Sequence, residues 1–231
     1  MFRDEDSQNK IYGVVPAIVS NNRDTEGLAR VKVIYPWLAE EDESYWARIA
    51  TMMAGDNRGT YFIPEVGDEV LVAFEHGDIH YPYIIGSLWN GKDKTHENND
   101  NGENNLRVIK SRSGHKIILD DTDGKEKITI IDKDEKRSIV IDSEKKTIDI
   151  KNEDGKINIF AGDDITIETN KNLNIKTGQG CNITANSNVE VKANSSVNVK
   201  AGSSGKFEAN ASLTLKASGV TTVKGAIVKL N

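Results

Sequence analysis

A period of eight residues near the C-terminus of this 231-residue chain restricts its fold more than any other feature. From Ile165 an apolar–polar–apolar triplet returns every eight positions: Ile165/Ile167, Leu173/Ile175, Cys181/Ile183, Val189/Val191, Val197/Val199, Gly205/Phe207, Leu213/Leu215 and Thr221/Val223. The first position is apolar in six of the eight octads, with Gly205 and Thr221 as exceptions, and the third is apolar in all eight. The second and fourth positions are polar throughout, from Thr166 and Glu168 to Thr222 and Lys224. This alternation reads as a strand with one face buried. The fifth position narrows from Thr169 and Thr177 to Ala185, Ala193, Ala201, Ala209, Ala217 and Gly225, which predicts a cramped inward site. The sixth is Asn or Gly from Asn170 to Asn210, residues that tolerate positive φ, so each octad is expected to be a short strand followed by a corner. A helix is excluded: a period of eight drifts off a 3.6-residue face, and Asn, Gly, Val and Thr are poor helix formers.

One octad offers only two or three side chains to a core, so stacking is obligatory. A single chain that coils through three octads per turn satisfies the pattern, and so do three chains that interleave; periodicity leaves both open. Upstream the same triplet recurs less regularly, at Ile128/Ile130, Ile139/Ile141, Ile148/Ile150 and Ile157/Ile159, with spacings of 11, 9 and 9. The repeat is therefore read from Ile128 onward.

Composition separates a second region. All four prolines, all three tryptophans and all six tyrosines lie before residue 90, and after Trp89 the only aromatics are Phe160 and Phe207. Residues 1–90 carry 7 Lys and Arg against 15 Asp and Glu, whereas 91–231 carry 23 against 21. An acidic first half argues against nucleic acid as a partner, since phosphate binding needs a basic face. A lone Cys181 excludes an intramolecular disulfide framework and a cysteine-based zinc site, and its place in the first octad position marks it as a small apolar residue. The opening MFRDEDSQNK lacks a signal-peptide pattern and no run approaches the roughly 20 apolar residues of a membrane helix, so synthesis in the cytoplasm is expected, with any membrane met mechanically or by assembly.

Between residues 11 and 90 the chain reads as five β-segments, 11–19, 29–35, 45–51, 69–75 and 79–88, separated by turn residues such as Gly67-Asp68 and His76-Gly77-Asp78. Five short strands in so few residues suit a small closed barrel of the OB type. Trp37, Trp46 and Trp89 are expected mainly in its core. His76 and His80 beside Glu75 and Asp78 read as turn-exposed polar residues rather than as a catalytic or metal site. The stretch 90–105 contains no apolar residue and is a loop.

The residues of this half also carry a resemblance. Arg30-Val31-Lys32-Val33-Ile34-Tyr35-Pro36-Trp37, Ser44-Tyr45-Trp46-Ala47-Arg48-Ile49-Ala50, Ala54-Gly55-Asp56-Asn57-Arg58-Gly59, Phe62-Ile63-Pro64-Glu65-Val66-Gly67-Asp68-Glu69-Val70 and Gly86-Ser87-Leu88-Trp89-Asn90 follow one another as in the OB domain of phage baseplate assembly protein V and of VgrG spike proteins. Residues 111–121 resemble the segment that leads from barrel to needle in those spikes. The resemblance implies a homotrimeric, all-β structural protein: an N-terminal arm (1–10), an OB barrel (11–90), a linker and neck (91–116) and an intertwined triangular β-helix (117–231). Its core would be Ile165, Ile167, Leu173, Ile175, Ile183, Val189, Val191, Val197, Val199, Phe207, Leu213, Leu215 and Val223. It further implies a place at the centre of a contractile tail or injection baseplate, a hub protein at the barrel end and mechanical piercing of a target envelope.

No enzymatic activity, metal or cofactor is expected. The last histidine is His115, which excludes a histidine-ligated iron tip; a PAAR-like protein is expected on Val223, Ile227, Val228 and Leu230 instead. The competing reading is a β-helical tail protein that binds or cleaves carbohydrate. Such a site wants paired carboxylates, and only Glu190 and Glu208 follow Glu168 along the repeat.

Overall fold

A computed structural model describes residues 10–38 and 43–229. Residues 1–9 of the expected arm and Leu230 of the expected tip surface lie outside the described residues. The chain divides into two units, one ending at Phe160 and the next starting at Ala161.

The first unit opens with a barrel whose inner face alternates strictly with its outer face. In β1 (Val15–Asn21) Ala17 and Val19 point inward, and in β6 (Glu69–Phe74) Val70, Val72 and Phe74 do. β2 (Lys32–Ile34), β1, β6, β7 (Pro82–Leu88) and β3 (Arg48–Ile49) lie side by side in that order. All pairs are antiparallel except β3 with β7, where Arg48 faces Tyr83 and Ile49 faces Ile84. Bridges from Val31 to Ala47 and from Ile34 to Glu43 return β3 to the β2 side, so the sheet closes on itself. Closure leaves few strand edges open and encloses Ala17, Val19, Val31, Val33, Tyr35, Ala47, Val70, Val72, Phe74 and Ile84. A hairpin of β4 (Ala54–Gly55) and β5 (Arg58–Gly59) projects from it, turning on Asn57 at φ 50°. A Cβ on Gly59 would lie 2.5 Å from the Met53 carbonyl oxygen, so only glycine fits there.

The tryptophans are not core. Trp37 and Trp89 are 46% and 71% exposed and Trp46 is half-buried. So small a barrel is filled by Val, Ala and Ile, and indole rings are displaced to its surface. Trp46 lies beneath Arg30 and Lys32, 5.6 and 5.5 Å from its ring centre.

The turn between β1 and β2 is organised by Asp24. Its carboxylate accepts from the backbone amides of Glu26, Leu28 and Arg30 at 3.1–3.3 Å and from the Arg30 guanidinium at 2.8 and 2.9 Å. Those charge-assisted bonds hold the carboxyl well below the ordinary carboxylate range. Ser44, buried in the barrel wall, accepts from the Val33 amide at 3.0 Å and donates to the Tyr45 carbonyl at 2.7 Å.

Beyond the turn-rich loop 90–105, an antiparallel meander replaces the β-helix expected from 117. It comprises β8 (Leu106–Lys110), β9 (Lys116–Asp120), β10 (Lys127–Ile131), β11 (Arg137–Asp142) and β12 (Thr147–Asn152) in sequential order. It begins inside the segment read as linker and neck. Spacings of 11 and 9 arise because each apolar pair is followed by a polar turn that reverses the chain. Glu135 and Lys146 take positive φ in these turns, and Asp132 accepts from the amides of Lys136 and Arg137 at 3.1 Å. An ion pair of 2.9 Å between Arg112 and Glu65 links the β8–β9 turn to the barrel.

In the second unit the chain bends every eight residues, at 162–163, 170–171 and onward to 226–227. These are the predicted corners, at the sixth and seventh octad positions. None of the described octad residues adopts positive φ, however, so Asn and Gly are not there for left-handed backbone. A corner that redirects the chain without reversing it is reached at ordinary φ. Between corners the octads form neither helix nor strand, and among the described residues none pairs with a strand of the chain.

Two expectations follow for the barrel. Ile84→Ala, in the core, should cost about 2–5 kcal/mol in denaturant unfolding of the barrel. For Asp24, a folded pKa below the unfolded one gives stability that is complete above the unfolded value of about 3.9 and is lost as pH falls below it. The stability gap between the parent chain and Asp24→Asn should therefore be constant at neutral pH and shrink below about pH 4 in thermal melts.

Candidate interaction surfaces

The apolar residues of the octads are exposed along the whole repeat. First-position residues Ile165, Leu173, Val189, Val197 and Leu213 are 55–61% exposed. Third-position residues Ile167, Ile175, Ile183, Val191, Val199, Phe207, Leu215 and Val223 are 69–77% exposed. Cys181 is exposed in the same row. The single chain buries none of the thirteen residues expected to form the needle core. Ile227 and Val228 are exposed as well.

A second apolar face was not singled out from the sequence. Cross-strand register in the meander aligns Ile109, Ile117, Ile130, Ile139 and Ile150 in one row and Leu119, Ile128, Ile141 and Ile148 in another. All nine side chains are exposed. Ile117, Ile130, Ile139, Ile150 and Ile157 line an open cleft of about 680 Å³. The repeated triplet signalled these residues, but only pairing register brings them onto one face.

On the barrel, Met53, Tyr61, Phe62, Arg48 and Tyr83 line a cleft of about 830 Å³ beside the β4–β5 hairpin. Tyr83 donates to the Glu75 carboxylate at 2.5 Å and lies under the Arg48 guanidinium. His80 Nδ1 lies 2.7 Å from Asp78 Oδ1, and the backbone amide of His80 also donates to that oxygen at 2.9 Å. The pair is part of a turn, and its hydrogen bonds hold the Asp78 carboxyl below its ordinary range. Among the described residues no group of three or more His, Cys, Asp or Glu is placed to hold a metal ion. No helix among them is long and apolar enough to cross a membrane.

Asp120 ends β9 with its carboxylate folded back to accept from the Thr122 amide and hydroxyl at 3.1 and 2.6 Å.

Comparison with known proteins agrees with this geometry. Residues 15–89 match the family described as the Type VI secretion system/phage-baseplate injector OB domain. The chain is 38% identical over 72 residues to the type VI secretion system spike protein VgrG1a of Pseudomonas aeruginosa, covering 29% of this chain and 11% of that protein. It is 40% identical over 68 residues to the spike protein VgrG3 of Vibrio cholerae, covering 28% and 7%. With VgrG5 of P. aeruginosa it shares 31% identity over 110 residues, covering 44% and 14%. The matched region spans about a tenth of the length of these relatives. The segment from β1 through β7 is accordingly similar to the injector OB domain of type VI secretion and phage baseplates, and over that domain the chain is VgrG-like.

Proposed function

We propose that three copies of this chain form the central spike of a contractile tail or injection baseplate, with the octads interleaved as a triangular β-helix that pierces the target envelope when the sheath contracts. The observation that carries the reading is the octad region itself: regularly spaced apolar side chains, all exposed, on segments that among the described residues pair with no strand of the chain. Unpaired backbone amides and carbonyls beside apolar side chains demand a partner. Interleaved copies supply both, because the strands between two octads on one face of the prism then come from the other chains. Continuous ladders along a rod resist fraying and compression, as in cross-β stacking.

A hub protein is proposed at the barrel, where Met52, Met53, Tyr61 and Phe62 are exposed around the projecting hairpin. A PAAR-like conical protein is proposed at the C-terminal end of the chain. Seventh and eighth octad positions hold Lys, Gln, Asn, Ser, Gly or Ala until Val220, Ile227 and Val228, and these three are exposed. Outward apolar residues confined to the last octads favour a protein partner there over solvent.

The competing reading, a carbohydrate-binding or carbohydrate-cleaving β-helix, has less support. A cleaving site needs two carboxylates on one face, whereas Glu190 and Glu208 belong to different octads and each pairs with a lysine, Lys192 and Lys206.

Light scattering during size exclusion should return three times the chain mass; a monomer would defeat the proposal. Val199→Asp should abolish that assembly while Asn198→Asp leaves it intact, since three carboxylates would crowd one buried layer at a cost of several kcal/mol or more. Deleting 220–231 should preserve the trimer and lose co-purification of a PAAR-like protein; retained capture would relocate that partner.

A further inference from the structure

Gly205 has no explanation within its own chain. Its backbone is not left-handed, and an added Cβ would meet nothing within 4 Å. Seven other octads place Ile, Leu, Cys, Val or Thr at this position. Two residues on, Phe207 is the single aromatic in the third position, and it is exposed.

The two departures offset each other in size. Gly205 contributes no side-chain heavy atoms and Phe207 seven, so the pair totals seven. The valine octads at 197/199 and 189/191 total six, and Leu213/Leu215 totals eight. Cys181/Ile183 and Thr221/Val223 also total six, and Ile165/Ile167 and Leu173/Ile175 eight. In the other seven octads the first position carries two to four side-chain heavy atoms and the third three to four, so Gly205 and Phe207 depart from their columns in opposite directions and leave the sum within the range of the rest. That is the signature of two side chains sharing one confined layer, because interiors tolerate volume-conserving exchange and resist both overfilling and voids. No such confinement exists in the single chain, so the confining surface belongs to other copies.

We propose that Gly205 and Phe207 form a matched layer at which three copies of this chain interlock, the ring of Phe207 occupying the room left where residue 205 has no side chain. This rests on the trimeric reading above and adds the packing unit to it. A copy displaced by one octad would set Phe207 beside Val197 or Leu213, overfilling one layer and leaving the next hollow, so the pair also favours in-register assembly.

The test is a double-mutant cycle on the full-length chain, with Gly205→Val, Phe207→Val and the double variant, which converts this octad into a copy of its valine neighbours. Assembly mass is read by light scattering and stability by the thermal midpoint of the assembled form. Each single variant is expected to lose several degrees, one by overpacking and one by a cavity, and the double variant to melt above both. Should a single variant fail to assemble, assembly of the double variant supports the pairing and its failure overturns it. Losses that add in the double variant, or a single variant that melts like the parent, also overturn it. A monomeric parent chain would instead bring down the trimeric reading itself, whereas a trimeric parent with additive losses defeats only the matched layer.

Discussion

Backbone hydrogen bonding at strand edges is the constraint on which the rest of this protein depends. Every extended segment carries amides and carbonyls along both sides that need partners. From β1 to β12 the chain supplies partners from its own sequence, by closing a barrel in the first case and folding a meander in the second. Among the described residues from Ala161 onward it does not, although the apolar alternation there is the most regular in the molecule. A segment so consistently patterned and so consistently unpartnered fits a chain whose remaining contacts come from other chains, which is the basis of the proposed spike.

One isoleucine alternation serves two architectures, and the intervening polar residues decide between them. In 132–136 and 143–146 the turns are rich in Asp, Glu, Ser and Lys, and they reverse direction through a left-handed Glu135 or Lys146. In the octads only three residues separate one five-residue strand from the next, and the chain bends without reversing. A reversal pairs a strand with its predecessor, whereas a bend carries it away from that neighbour. The irregular spacing upstream of Ile165 was therefore the mark of a different topology and not of a loosened repeat.

Some features of the barrel were invisible in sequence for physical reasons. Asp24 reads as an ordinary turn residue, yet five hydrogen bonds converge on its carboxylate because the loop wraps around it. Ser44 looks like one more polar residue before a strand, but it substitutes for a missing backbone partner inside the wall. The tryptophans misled because hydrophobicity argues for burial while the radius of a five-stranded barrel argues against it. Inner positions in β1 and β6 are occupied by Ala, Val and Phe at alternate residues, and Trp46 covers the outside beneath Arg30 and Lys32.

The sequence by itself determined the all-β class, the OB barrel over its first strands, the period of eight and the places where the chain bends. These follow from local alternation and turn chemistry, which act over a few residues and are written in their order. Tertiary structure alone decided that 106–152 is a meander, that its isoleucines align in two rows, that the octad corners keep ordinary φ and that the tryptophans lie outside the core. Each of those depends on which strand lies beside which, a relation set by register and closure between distant residues, and alternation of period two is blind to it.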